Sequence, residues 1–228
     1  MQGQENCWLK QEEQCDKSCC NKFCLQYVKL NTLYNNALVS IPNRKHLALR
    51  VDNDGCDDEA FSQLKTIENS IVNFVKNGQN LFIYSSNFGN GKSSWALRMI
   101  QSYFNKIWYR ADLSCKALFI SVPRFLLAIK DNINTTNEYA SYIQENVMNA
   151  DLVVWDDIGT KVGTEFEISH LLSIIDARIS AGKSNIYTTN LVDNELVKSL
   201  GDRLYSRIVN YSNYVIELKG KDKRCLNK

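Results

Sequence analysis

The chain has 228 residues, room for one sizeable domain and a small appendage but not for two full-size domains. Lys and Arg number 27 against 25 Asp and Glu, so the net charge of +2 gives no global field to attract nucleic acid or a membrane. With 44% hydrophobic and 23% charged residues, the composition is globular and excludes a disordered chain. The opening stretch MQGQENCWLKQEEQCDK is polar and has no apolar signal segment, and no apolar run reaches the roughly 18 residues of a membrane span. A cytoplasmic protein without a membrane partner is expected.

Taken in chain order, residues 1–27 hold five of the 8 cysteines: Cys7, Cys15, Cys19, Cys20 and Cys24. In a reducing compartment clustered thiols point to metal before disulfides. Tetrahedral zinc takes four thiolates, and the preferred set is Cys7, Cys15, Cys20 and Cys24, with Cys19 as the alternative to Cys20. The usual C-x2-C knuckle is missing, and unliganded reduced thiols are the competing reading. Residues 28–57, with Ile41-Pro42, read as a polar linker.

Residues 58–228 read as the main domain. Apolar positions at Phe61, Leu64, Ile67, Ile71 and Phe74 predict a helix over 58–76. Short apolar runs at 81–84, 117–122, 152–155, 185–189 and 214–218 predict five strands. Helices are expected between them, over 92–104, 123–149 with a break near 132–136, 165–179, and in short pieces over 193–209. Apolar strands alternating with helices define an α/β fold with a parallel sheet covered on both faces.

The segment LFIYSSNFGNGKSS runs from a predicted strand through glycines into a helix, the context of a phosphate-binding loop. Here Asn87, Phe88, Gly89, Asn90, Gly91, Lys92, Ser93 and Ser94 would surround phosphate, with helix amides facing the anion. Lys92 would neutralise the β- and γ-phosphates, and Ser93 would ligate magnesium. The pattern G-x-x-x-x-G-K-[ST] is broken at its first glycine, where Ser86 stands. A second Gly-Lys-Ser, Gly182-Lys183-Ser184, follows a helix and precedes a strand, so it receives no phosphate role.

LVVW leads into Asp156-Asp157, a strand ending in two carboxylates. The first would hold the magnesium shell, and the second would polarise the attacking water. A further strand ends in Thr188-Thr189-Asn190, where Asn190 could orient water or simply cap the next helix. Arg203 and Arg207, four apart on one helix face, could serve a neighbouring subunit's site or merely face solvent. Arg124 and Lys130 are candidates for a local single-stranded DNA contact.

Together NFGNGKSS, ALFISVPRFLLAIK, LVVWDDIGT, YTTN, GDRLYSRI and LKGKDKR resemble the AAA+ ATPases of the replicative helicase loader family, DnaC- and DnaI-like. The resemblance implies a P-loop AAA+ three-layer core with a five-stranded parallel sheet and no separate lid. It implies binding of ATP/ADP and Mg2+ and ATP hydrolysis. By the same resemblance Asn190 would be sensor 1, Arg207 the arginine finger with Arg203 beside it, and Arg224 sensor 2. Residues 1–27 would be a Zn2+-binding module that docks on a DnaB-like helicase. Single-stranded DNA and other copies of the ATPase domain are the remaining partners implied. An IstB-type transposition helper and a zinc-bearing nucleotide-switch adaptor with little turnover are the alternatives.

Overall fold

The computed structural model describes residues 7, 9, 15, 24–41, 55–131 and 136–223. Five parallel strands form one sheet: β1 (Asn80–Tyr84), β2 (Ala117–Ser121), β3 (Leu152–Asp156), β4 (Ser184–Thr189) and β5 (Tyr214–Glu217), in the order β2-β3-β4-β1-β5. The α/β expectation is borne out.

Alternation along each strand divides the core in two. Leu81, Ile83, Phe119, Val154 and Ile186 face α1 (Leu25–Ala37), α2 (Asp58–Asn69), α3 (Ile71–Lys76) and α4 (Lys92–Ile107). Phe82, Leu118, Ile120, Val153, Trp155 and Tyr187 face α5 (Val122–Asp131), α6 (Glu138–Asn146), α7 (Glu165–Ser180) and α8 (Asp193–Val209). A sheet buried on both faces explains why its strands read as continuous apolar runs.

Three elements differ from the sequence expectation. The helix expected over 58–76 is two helices broken at Ser70. There α4 takes over the carbonyls that end α2: Ser102 Oγ and Lys106 Nζ donate to the Glu68 carbonyl at 3.1 and 2.8 Å, and Lys106 also donates to that of Asn69 at 2.8 Å. Val122 opens α5 rather than closing β2. The third difference is in the expected linker.

Helix α1 crosses the 27/28 boundary and occupies the first part of the supposed polar connection. Leu30, Leu33, Tyr34 and Ala37, one face of a helix, are buried in the same cluster as α4. Polar contacts hold the helix as well. Lys29 Nζ donates to the carbonyls of Tyr109 and Ala111, and Asn36 Nδ2 to that of Leu113. Tyr142 donates in turn to the Asn36 carbonyl at 3.0 Å. Residues 25–37 are therefore part of the packed core.

Candidate functional site

The loop after β1 turns sharply into α4. Gly91 sits at the N-cap with φ 106°, a conformation that a side chain disfavours, although a Cβ there would meet nothing within 4 Å. The requirement is backbone conformation, not space. Ser86, where the pattern asks for glycine, is exposed and takes no positive φ, so the departure costs no backbone strain.

The loop is wired by its own polar side chains. Ser85 Oγ accepts the Asn87 N–H at 2.9 Å and the Asn90 amide at 2.6 Å. Lys92 Nζ donates to the Asn87 carbonyl at 2.8 Å and to Asn90 Oδ1 at 3.1 Å. Lys92 is 5% exposed, so its ammonium is held inward at the mouth of the loop.

The two acids follow β3 directly. Asp156 is buried beneath the loop, with its carboxylate hydrogen-bonded by the hydroxyls of Thr188, at 2.6 Å, and Ser93. Burial and the neighbouring Asp157 charge push its pKa up to about 6 against the opposing pull of Thr188, Ser93 and Lys92. Burial also raises the Asp157 pKa, and Lys92 opposes that rise. Asp157 adopts φ 57°, the one non-glycine positive φ among the described residues. That strained turn aims the second carboxyl into the cleft while the first stays beneath it.

Thr188 joins these parts. Its hydroxyl donates to Asp156 Oδ1 and accepts the Asp157 N–H at 3.0 Å, tying the end of β4 to the end of β3. Residues 88–94, Asp157, Thr160 and Asn190 line one cleft of about 470 Å3 at the C-terminal ends of the strands. Open α/β sheets bind ligands at that edge. The sequence points to Asn190 at the end of β4; the bridging role of Thr188 and the place of Thr160 in the wall emerge only from the fold. A hydroxyl aligned with a neighbouring acidic strand end was the available signal.

Other expected residues lie elsewhere. Arg207 is outside this cleft, paired with Asp176 of α7 at 2.7 Å and stacked 4.9 Å from the Tyr211 ring; Arg203 is exposed on the same helix. Arg124 is exposed; it donates to the Ser40 carbonyl at 3.1 Å and lies 4.4 Å from the Tyr139 ring, fastening the chain after α1. Lys130 is exposed. Cys7, Cys15 and Cys24 pack half-buried against the α1 side of the core. No group of three potential metal ligands gathers among the described residues, and Cys20 and Arg224 lie outside them. No described helix is long and apolar enough to cross a membrane.

The strand order, a glycine loop after β1 and an acid pair after β3 define an α/β core with a phosphate-binding-loop arrangement at one sheet edge. Over 150 residues, 62% of its length, the chain is 27% identical to the replicative helicase loader DnaC of Escherichia coli K12. It spans 58% of that relative's length. The crystal structure of the DnaC helicase loader matches its fold with a TM-score of 0.60 at 19% identity, over 76% of this chain and 99% of that one. The crystal structure of DnaI matches with a TM-score of 0.60 at 17% identity, over 81% and 95%. No family model matches the chain. The resemblance to DnaC- and DnaI-like helicase loaders is borne out by these likenesses.

Proposed function

We propose that this chain is an ATP-dependent loader of a replicative hexameric helicase onto single-stranded DNA, acting in the cytoplasm. The observation that carries the ATPase part is the convergence of Lys92, Asp157 and Asn190 on one cleft with Ser93 bonded to Asp156 beneath it. The likeness to DnaC supports the loading role.

In this reading the amides opening α4 and the Lys92 ammonium take the phosphates of ATP. The Ser93 hydroxyl and the Asp156 carboxylate, already in contact, are hard oxygen donors that fit magnesium, which when bound neutralises phosphate charge. Asp157 orients and accepts a proton from the attacking water, and Asn190 steadies that water against the γ-phosphate. Arg207, remote from its own cleft, completes the site of a neighbouring copy in a self-associated form, exchanging Asp176 for the phosphate. Arg203 assists at that boundary, and Arg224 serves as sensor 2. Residues 1–27 form the helicase-docking module, holding zinc through Cys7, Cys15, Cys20 and Cys24, and residues 58–228, with α1 packed into their core, form the ATPase domain. The zinc proposal rests on cysteine spacing and the family likeness; metal analysis of purified protein finding no stoichiometric zinc removes it.

Steady-state ATP hydrolysis tests the reading, with and without helicase and single-stranded DNA. Asp157→Asn should lower the rate about 10²-fold or more while nucleotide still binds. Equal, near-zero rates for wild type and variant under every condition would sink the catalytic proposal.

A further inference from the structure

Asp57 stands immediately before α2, where an aspartate is expected to cap its own helix. It makes no such cap. Its side chain is 4% exposed and reaches instead to the segment after β5, accepting the Lys219 N–H on Oδ1 at 2.6 Å and the Gly220 N–H on Oδ2 at 2.9 Å. Both carboxylate oxygens are thereby used on a stretch of chain 162 and 163 residues away.

The stretch so held lies against the phosphate loop. Asn87 Nδ2 donates to the Lys219 carbonyl at 2.9 Å and, more weakly, to that of Gly220 at 3.3 Å. Asn90 Nδ2 donates to the Leu218 carbonyl at 3.0 Å, and the Lys223 N–H donates to the Gly89 carbonyl at 3.0 Å. The Leu218 N–H continues the β1 ladder by donating to the Tyr84 carbonyl at 2.9 Å. Residues 218–223 therefore form a strap bonded to the loop at three of its residues: Asn87, Gly89 and Asn90. Two of these, Asn87 and Asn90, also accept hydrogen bonds from the Lys92 ammonium.

We infer that Asp57 is a positioning residue for nucleotide binding, acting through this strap to fix the phosphate loop and the direction of Lys92. The inference rests on the nucleotide-binding reading of the cleft. A strap with unpaired N–H groups at Lys219 and Gly220 would have to turn them to water, carrying the Lys219 and Gly220 carbonyls away from Asn87. The loop has a serine where its pattern places a glycine and takes part of its shape from asparagine side chains, so an external brace has direct purchase on it. Asp57 touches no nucleotide itself.

Asp57→Asn keeps size but turns an amide donor toward one of the two N–H groups. The test is a double-mutant cycle in the full-length protein, with Asp57→Asn, Asn87→Ala and the pair, reading the Kd of fluorescent ADP. Each single variant should weaken ADP about tenfold, and the pair should weaken it little further, because both act through one strap. Asn87 is exposed, so its variant folds even if Asp57→Asn does not, and it should show the loss alone. Unchanged affinity in either single variant, or losses that multiply in the pair, overturns the inference while leaving the cleft reading intact. Absence of ADP binding by wild type overturns both.

Discussion

The chain spells Gly-Lys-Ser twice, and the two copies lie at opposite ends of one sheet. At the C-terminal ends of the strands, Gly91-Lys92-Ser93 opens α4 beside two aspartates and a cleft. At the other end, Gly182-Lys183-Ser184 leads into β4, and its side chains are taken up internally. Lys183 pairs with Asp151 at 3.0 Å, and Ser184 Oγ donates to the carbonyls of Phe74 and Val75 that close α3. A Cβ at Gly78, which already has φ 60°, would run into the Gly182 backbone, so that end is also tightly packed. The same three residues serve ligand chemistry where strand leads into helix, and packing where helix leads into strand.

Buried polar groups sharpen the contrast. Arg178, fully buried, lies at the packed end and is held mainly by uncharged acceptors. Its guanidinium donates to Asn185 Oδ1 at 2.8 Å and to the carbonyls of Val147, Ala150 and Ser184. Burial lowers its pKa to about 10, so it remains a cation at neutral pH. Asn80 Oδ1 accepts both the backbone N–H and the side-chain amide of Asn185 at 2.9 Å. These donors and acceptors are matched within the chain. At the cleft, Asp157 and Asn190 face open space.

This contrast can be broken by substitution at either end. The largest effect belongs to Lys92→Ala, which should weaken nucleotide about 10² to 10³-fold by equilibrium titration, because it removes a positioned cation. Arg178→Met should lower stability by about 3–5 kcal/mol in urea unfolding, taking the guanidinium from three buried carbonyls and from Asn185 Oδ1, which keeps only the Trp155 indole, yet change the nucleotide affinity of the folded protein little. Lys183→Ala should cost less than about 1 kcal/mol, since its partner Asp151 is itself partly exposed, and leave nucleotide binding unaltered. A marked loss of nucleotide affinity in Lys183→Ala would erase the distinction between the two tripeptides.

Much of the fold was legible because β1, β2 and β3, buried on both faces, contain nearly uninterrupted apolar runs, and the β–α transitions after β1 and β3 carry their own signals. The loop around Lys92 and the pair Asp156-Asp157 were legible for the same local reason. What escaped depends on distant partners. Helix α1 shows apolar positions at 30, 33, 34 and 37, but its polar remainder, bonded to residues 109–113, read as linker. Thr188 matters because β3 lies beside β4, which only the strand order reveals. Asp57 escaped because nothing near it in sequence announces residues 219 and 220. Arg124 is exposed, and its contacts with Ser40 and Tyr139 come from residues far from it in sequence.

The most direct test of the central claim is a titration of a non-hydrolysable ATP analogue with magnesium into wild type and Lys92→Ala. Wild type should saturate at one nucleotide per chain, and Lys92→Ala should show no saturable binding over the same range. Stoichiometric binding that survives Lys92→Ala, or no binding by wild type, would contradict the account.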